Sequence, residues 1–384
     1  MSKPPFHIPS LDGIRAVAFL TVFLSHAGLE RMVPGGLGVT IFFFLSGYLI
    51  TTLLRRELER SGRIDLKQFY IRRMLRIWPS FYFVLALGVL LTLAGLLPGE
   101  IRAVPMLSQV LHFANYYSIF HGNDGMVIGS GVFWSLAVEE HFYLVFPCLY
   151  LALVRLGLRP RGQVLVLGLL CAAVLAWRYG LCVGMGADAH RTFSATDTRL
   201  DSILFGCMLA IWGNPVLDAR HGSERLWKFG LVPAGLVLLG ATLGYRSADF
   251  RETARYTLQG LALYPLFVAA IRYPGWPPFR VLNSKPLRLL GLLSYPLYLV
   301  HFTVIAALEH TPRPLPPLIR GIVAFGISLA LAYAIYHLIE RPMTRLRKKH
   351  HAARPSPLQL APDLVLAPPP FRARQDGAID DPGR

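Results

Sequence analysis

The segment "SLDGIRAVAFLTVFLSHAG" (residues 10–28) decides the fold class, because it combines the apolar composition of a membrane helix with isolated polar side chains. Arg15 lies near its start and His26 near its end. Long apolar runs recur at 81–97 and 321–339, and about 18 or more apolar residues in a row are enough to span a membrane as a helix. The sequence therefore predicts an all-α protein, a polytopic transmembrane helical bundle.

The overall composition agrees with a membrane protein. The chain is 54% hydrophobic and 16% charged, whereas about a quarter of the residues of a soluble domain are charged. The net charge of +17 could indicate a nucleic-acid partner, but the basic residues sit at the ends of apolar blocks, next to membrane lipids, so no nucleic acid is expected. The four cysteines fall in or beside predicted spans and match no zinc pattern, so neither disulfides nor a metal are expected.

Hydropathy predicts about ten spans. They lie near 14–32, 36–54, 77–97, 132–154, 163–184, 200–213, 228–244, 257–272, 288–310 and 319–340. A weaker apolar stretch at 105–121 predicts an interfacial or re-entrant piece. The first apolar run lacks the features of a cleavable signal peptide, so we expect it to stay as the first span.

The distribution of Lys and Arg predicts the orientation. These residues concentrate in the loops on the side of the N-terminus, which favours a multi-pass protein of the cytoplasmic (inner) membrane with both termini in the cytoplasm. Residues 1–350 are predicted to form one integral membrane domain. Residues 351–384 are rich in Pro and Ala without a helical period, which predicts a disordered cytoplasmic tail.

Ionisable residues inside predicted spans are candidates for function, because burying them in lipid is costly. At about 1.5 Å per residue, His26, the pair Glu139–Glu140 and His301 all lie in the outer half of the membrane. Arg199 and Asp201 lie at the outer mouth of the sixth span. We expect these groups to converge there if the helices pack suitably.

A second cluster is cationic and lies at the inner side. It consists of Arg15 and the run Arg72, Arg73 and Arg76, whose guanidinium groups suit phosphate oxygens. Eleven helical steps of about 100° return within roughly 20° of the start, so Arg15 and His26 share a face, about 16 Å apart along the axis. An extended polyanionic cofactor could place its phosphates at Arg15 and its reactive group near His26.

Each of these residues also has a structural interpretation. An arginine at a helix end can act only as an orientation signal, and a histidine within a span can simply form a packing hydrogen bond. Tyr295 and Tyr298 are typical of packing or interfacial positions, and Glu340 with Arg341 is typical of a structural ion pair.

Taken together in their order, the motifs resemble the acyltransferase-3 family of integral membrane acyltransferases. After "LDGIRAVAFLTVFLSH", which resembles the opening of the family, come "FFFLSGYLI" (42–50), "RRMLRIWP" (72–79), "FWSLAVEEHFYLVFP" (133–147), "TDTRLDSILFGCMLA" (196–210), "SYPLYLVH" (294–301) and "IERP" (339–342). The resemblance runs through most of residues 8–345.

The resemblance implies transfer of an acyl group, often acetyl, from cytoplasmic acyl-CoA to a hydroxyl of an extracytoplasmic or lipid-linked carbohydrate. It also implies that Arg15 and His26 are the essential motif pair and that Arg72, Arg73 and Arg76 serve the acyl donor. Members of the family often carry a periplasmic SGNH-type hydrolase domain after the membrane domain. The sequence predicts none here, so we expect this protein to act alone or with a separate periplasmic partner.

Two mechanisms stay open for His26. It can act as the general base for the acceptor hydroxyl, with Glu139 or Glu140 orienting its imidazole, or it can carry the acyl group transiently as a nucleophile. Tyr295, His301, Arg199 and Asp201 are predicted to support the substrate or the structure. A proton-coupled transporter of a polar solute is the alternative function, because transporters also place His and carboxylates in the membrane. A non-catalytic scaffold would not explain the aligned Arg15 and His26.

Overall fold

The computed structural model describes residues 8–219, 222–311 and 315–352. Most of the predicted tail, residues 353–384, lies outside the described residues. Within the described ranges the secondary structure consists of helices and contains no strand, which confirms the all-α prediction.

The chain forms eighteen helical segments within those ranges. In chain order they are α1 (Pro9–Leu24), α2 (Gly35–Ser61), α3 (Leu66–Leu93), α4 (Ala103–Val110), α5 (Ala114–His121), α6 (Phe133–Arg155), α7 (Pro160–Tyr179), α8 (Ala189–Ser194), α9 (Thr196–Ile211), α10 (Glu224–Leu226), α11 (Val232–Gly244), α12 (Ala248–Glu252), α13 (Ala254–Arg272), α14 (Pro277–Arg280), α15 (Lys285–Leu292), α16 (Ser294–Glu309), α17 (Pro317–Ile335) and α18 (Arg341–Ala352). Wider π-helical turns continue four of the helices at Ser25–Leu29, Gly180–Gly184, Trp227–Leu231 and Tyr336–Glu340, and 3-10 turns lie at Ser130–Val132 and Val281–Asn283.

Seven continuous helical stretches of the described chain are long and apolar enough to cross a membrane. They are Pro9–Leu29, Gly35–Ser61, Leu66–Leu93, Ser130–Arg155, Pro160–Gly184, Glu224–Gly244 and Pro317–Leu346. The pair α15–α16, bent by 73°, would be an eighth. The protein is therefore a multi-pass helical membrane bundle, but ten spans are not confirmed.

The two remaining predicted spans are helices that fall short of this test. Helix α9 has 16 residues, or about 24 Å, less than the roughly 30 Å of a bilayer core. Helix α13 has 19 residues but carries Arg255 and Gln259 among its apolar side chains. The weak stretch at 105–121 forms the short helices α4 and α5 rather than a span, in agreement with the prediction.

Helices α2 and α9 form the centre of the bundle and touch at the level of their backbones. A Cβ atom added to Gly47 would lie 2.0 Å from the carbonyl oxygen of Ile203, and one added to Gly206 would lie 1.9 Å from that of Phe44. Such contacts admit no side chain, and small residues are what lets membrane helices approach closely. Nearly all of α9 is buried, while large apolar side chains of the outer helices are exposed, including Leu93 on α3 and Val237 on α11.

Helix α1 is held between α2 and the C-terminal helices. A Cβ atom on Gly291 of α15 would lie 1.8 Å from the carbonyl oxygen of Asp12, and one on Gly38 of α2 would lie 2.5 Å from that of Ala18. At its far end α1 widens into the turn Ser25–Leu29, where Gly28 has a φ of 100° that favours glycine. The two ends of α1 therefore have fixed positions, and these ends carry Arg15 and His26.

Candidate active site

His26 and His301 form a direct pair at one end of the bundle. His26 lies in the turn that ends α1, and His301 lies on α16. The Nδ1 atom of His26 is 3.0 Å from the Nε2 atom of His301, and the two rings are within 11° of parallel. The structure thus brings together two histidines that the predicted depths placed in the same half of the membrane.

The partners of His301 determine which nitrogen atoms carry hydrogen. Its Nδ1 atom lies 2.8 Å from the carbonyl oxygen of Tyr298 and 3.2 Å from that of Leu297. Carbonyl oxygens only accept hydrogen bonds, so this nitrogen is the donor, and in a neutral ring Nε2 is then an acceptor. His26 must therefore donate from Nδ1, which leaves the lone pair of its own Nε2 atom available.

The surroundings of the two rings differ. His301 is fully buried, with the ring of Phe19 at 5.7 Å and edge-on to it. His26 is half-buried and has the ring of Phe302 at 4.9 Å. The buried histidine is fixed on both nitrogens, whereas the accessible one has a hydrogen-bond partner on one nitrogen within the described chain. This is the arrangement that a general base or nucleophile needs.

The glutamates occupy other positions than expected. Glu139 accepts hydrogen bonds from the hydroxyl of Ser46 at 2.9 Å and from that of Tyr143 at 2.8 Å. Glu140 accepts a long hydrogen bond of 3.4 Å from the indole of Trp78. The place beside the His26 imidazole that was expected for a glutamate belongs to His301.

Arg15 and the arginines of α3 meet Glu139 at the other end of α1. The Arg15 guanidinium lies 3.6 Å from Asp12 and interacts electrostatically with Arg76 and Glu139. Glu340, expected to pair with Arg341, instead interacts with Arg76 and Arg15. A cationic cluster with three acidic neighbours, Asp12, Glu139 and Glu340, therefore forms where the sequence predicted a purely cationic one.

The three arginines of α3 are not equivalent. Arg72 forms an ion pair with Glu57 of α2 at 2.8 Å, so its charge is already compensated. The Arg73 guanidinium lies over the ring of Tyr143, 5.3 Å from its centroid. Arg76 is exposed. The three side chains therefore have different surroundings: an ion pair for Arg72, an aromatic ring for Arg73 and solvent for Arg76.

The tyrosines of α16 connect this helix to its neighbours. The Tyr295 hydroxyl donates to the carbonyl oxygen of Ile77 on α3 at 2.8 Å, and the Tyr298 hydroxyl lies 2.7 Å from that of Ser135 on α6. Both bonds cross between helices. These contacts agree with the packing interpretation of Tyr295 and Tyr298, and they fix the helix that carries His301.

Asp201 has a partner that the sequence analysis did not identify. Two nitrogens of Arg178, on α7, lie 3.2 and 2.9 Å from the two carboxylate oxygens of Asp201, and both side chains are fully buried. Thr257 joins them, because its hydroxyl lies 2.6 Å from Asp201 and 2.7 Å from Arg178. The sequence did offer one sign of this pair: Arg178 is a charged residue inside the predicted span 163–184, where it needs a partner.

Arg199 does not pair with Asp201 but is enclosed by aromatic rings. Its guanidinium carbon lies 4.0 Å from the centroid of Tyr256 and 5.4 Å from that of Phe193. It also donates to the hydroxyl of Thr40 at 3.0 Å. Full burial and these contacts give Arg199 and Asp201 a structural place between α2, α7, α9 and α13.

Comparison with known proteins gives consistent matches. The model of the acyltransferase domain family Acyl_transf_3 matches residues 8–337. The chain is 30% identical over 359 residues to the peptidoglycan O-acetyltransferase OatA of Listeria monocytogenes, covering 88% of this chain and 56% of the relative. It is 29% identical to the O-acetyltransferase OatA of Staphylococcus aureus strain NCTC 8325, covering 90% of this chain and 58% of the relative.

The chain thus spans less than two thirds of the length of these two relatives. No solved structure matches it. The family match covers nearly the whole of the helical bundle, including both ends of α1, the His26–His301 pair and the arginines of α3. On this evidence the chain belongs to the acyltransferase-3 family of membrane acyltransferases.

Proposed function

We propose that the protein is an integral membrane O-acyltransferase that moves an acyl group, acetyl as the expected case, from acyl-CoA to a hydroxyl of a carbohydrate acceptor. Family membership and the O-acetyltransferase activities for which the two relatives are named support the reaction class. The observation that carries the proposal is the His26–His301 pair, because its hydrogen-bond order leaves the His26 Nε2 lone pair available.

In the general-base form of the reaction, His26 Nε2 takes the proton of the acceptor hydroxyl as its oxygen attacks the thioester carbon. The carbon–sulfur bond breaks, the acyl group moves to oxygen and the coenzyme leaves as a thiolate, which takes the proton back from the His26 imidazolium. His301 keeps accepting from His26 Nδ1–H, and so it holds the ring in the required tautomer while the ring becomes positively charged.

In the alternative form, His26 Nε2 attacks the thioester carbon, the carbon–sulfur bond breaks and the coenzyme leaves as a thiolate. The acceptor oxygen then attacks the acyl carbon, the bond to His26 Nε2 breaks, and the hydroxyl proton goes to the thiolate. The role of His301 is the same in both, since the lone pair that attacks is the one left by its hydrogen bond. His301 thereby takes the orienting role that was expected of Glu139 or Glu140, and it acts as a positioning residue.

The donor is proposed to enter at the Arg15 end of the bundle. Arg15, Arg73 and Arg76 would bind the phosphates of acyl-CoA, since guanidinium groups bind phosphate oxygens through paired hydrogen bonds. Glu139 accepts hydrogen bonds from Ser46 and Tyr143 and has Arg73 and Arg15 as electrostatic neighbours. The axial distance of about 16 Å between Arg15 and His26 sets the reach required of the pantetheine arm.

This assignment requires the Arg15 end to face the cytoplasm, where acyl-CoA is found. The excess of Lys and Arg in the loops on that side supports both termini being cytoplasmic in the inner membrane. The acceptor would then be an extracytoplasmic or lipid-linked glycan at the His26 end. Peptidoglycan is the first candidate, because the Listeria relative is a peptidoglycan O-acetyltransferase by name.

His26→Ala tests the function. Purified wild-type protein in lipid should transfer label from acetyl-CoA to a glycan acceptor, and the variant should do so about 10²–10⁴-fold more slowly. The matched control is His121→Ala, which removes an exposed histidine at the end of α5. Thermal melting of both variants checks that they remain folded.

Normal transfer by a folded His26→Ala variant would overturn the proposal. The same preparation in liposomes separates the enzyme from the transporter alternative. Acceptor-dependent release of CoA supports an acyltransferase, and uptake of a polar solute without acyl transfer supports a transporter.

A further inference from the structure

A large cavity opens at the His26 end of the bundle, separate from the histidine pair. It has a volume of about 1040 Å³ and lies between the loop that joins α1 to α2, helix α8, and the segment from the end of α11 to the start of α13. Ser25, the residue before His26, is part of its wall. The volume lies at the upper end of the range of small-molecule sites.

The charged residues of this cavity are mostly arginines. Arg31, Arg246, Arg251 and Arg255 line it, against two glutamates, Glu30 and Glu252, as the acidic residues. Glu252 accepts a hydrogen bond from Thr192 at 2.6 Å. Across the described ranges, none of these four arginines has a carboxylate within salt-bridge distance. The cavity therefore has cationic groups with unused capacity for an anion.

Arg255 and the aromatic residues form the inner wall. One terminal nitrogen of Arg255 donates to the Tyr256 hydroxyl at 3.1 Å, while its Nε atom is buried and has no hydrogen-bond partner among the described residues. Behind them, Tyr256 is buried against Arg199. Tyr245 and Phe193 add aromatic surface to the lining. Polar binding sites of this kind combine apolar walls with a few fixed polar groups.

We infer that this cavity binds the acceptor, and that the acceptor is an anionic glycan carrying a carboxylate or phosphate group near the hydroxyl to be acylated. This inference rests on the proposed function. Arginines suit such groups because they form paired, charge-assisted hydrogen bonds with them, and the aromatic rings offer apolar faces to sugar rings. Ser25 lines the cavity and directly precedes the proposed catalytic His26 in the chain, so the cavity adjoins the turn that carries His26.

The test compares two acceptors that differ by one charge. The probe is a muramic-acid-containing disaccharide with a free carboxylate, and its partner is the same disaccharide with the carboxylate converted to an amide. The variant is Arg246→Gln/Arg251→Gln, which changes two exposed arginines of the cavity. The matched control is Arg102→Gln, an exposed arginine in the loop after α3 whose guanidinium pairs with Glu100.

Two quantities are measured, each at low and at high salt. One is transfer of label from acetyl-CoA to each disaccharide, and the other is binding of each disaccharide to the protein in the absence of acetyl-CoA. We expect the wild type to prefer the acidic disaccharide. The double variant should raise KM for it about tenfold or more, without changing KM for acetyl-CoA or for the amide. High salt should weaken binding of the acidic probe to the wild type only.

Equal KM values for the two disaccharides with wild-type protein would overturn the inference. So would a double variant that raises KM for acetyl-CoA instead, because the cavity would then serve the donor. Absence of transfer to any acceptor, together with arginine-dependent binding of the acidic disaccharide, would reject the proposed reaction and still support an anion-binding cavity.

Discussion

Two polar side-chain pairs in the bundle differ in how many of their hydrogen-bonding atoms have partners. In Arg178–Asp201, both carboxylate oxygens are bonded and Thr257 bridges the two side chains. In His26–His301, one ring is bonded on both nitrogens and the other keeps a lone pair. In the first pair both terminal nitrogens of the guanidinium group and both carboxylate oxygens have partners, as expected of a structural contact. In the second, one imidazole nitrogen keeps a lone pair, as a catalytic residue requires.

The comparison also explains why equal depth in the membrane does not imply equal function. Burying a charge is costly unless it is paired, and Arg178 and Asp201 form an ion pair between α7 and α9. Two neutral imidazoles have a smaller cost of burial and can leave an acceptor unused. Substitutions at the two pairs should therefore separate stability from activity.

The largest expected effect is on stability, from Asp201→Ala. Removing the carboxylate leaves the Arg178 guanidinium buried and unpaired, which should lower the free energy of unfolding by about 3–5 kcal/mol. Thermal and denaturant unfolding in detergent measure this loss. The matched double variant Arg178→Met/Asp201→Leu removes both charges and should recover much of the stability. If Asp201→Ala melts like the wild type, the pair has no structural role.

The next largest effect concerns the orienting role of His301. His301→Ala should lower the rate of acyl transfer about 10²-fold, because the His26 ring loses the acceptor that fixes its tautomer. His301→Gln should recover part of that rate, since a glutamine oxygen can accept from His26 Nδ1–H. Rates at saturating acceptor, compared with melting temperatures, distinguish orientation from a packing defect. Equal rates for the two variants would contradict the orienting role.

These predictions show what the sequence could and could not supply. The position of His26 and of His301 along their helices predicted that both lie at a similar depth in the membrane, which is consistent with their contact in the structure. It did not show which way each side chain points from its helix toward the neighbouring helices. Glu139 was therefore expected beside His26, although it accepts hydrogen bonds from Ser46 and Tyr143. Arg178 was overlooked because its partner lies 23 residues away on another helix.

The limits for the fold have a similar cause. Hydropathy located every long helix, because apolar length is a property of the local sequence. It predicted a short sixth span at 200–213, but it could not show that α9 is enclosed by other helices, or that α15 and α16 meet at a 73° bend, since both depend on packing. Which nitrogen donates and which accepts in the histidine pair depends on the backbone carbonyl of Tyr298 on α16. A motif of side chains in the sequence does not reveal such a backbone contact.

The smallest expected effect distinguishes the arginines of α3. Arg73→Gln should raise KM for acetyl-CoA about tenfold, because one charge-assisted contact to a phosphate is lost. Arg72→Gln is the matched control and should change KM by much less, since the charge of Arg72 is compensated by Glu57. Steady-state kinetics with varied donor measure both. A larger effect from Arg72 would place the donor phosphates on the other side of the helix.

The shortness of α9 has a consequence for the distance over which the protein acts. Polar groups lie at both ends of this central helix: Asp197 and Arg199 at its start, and the ion pair of Arg55 with Asp218 beyond its end. Helix α9 is about 24 Å long, and its apolar part, which follows Asp197 and Arg199, is shorter still, against roughly 30 Å for a lipid bilayer core. The protein therefore contains a locally thin barrier at its own centre. In the proposed reaction, an acyl group that passes from a donor on one side to an acceptor on the other would meet less apolar depth inside the bundle than in the surrounding lipid.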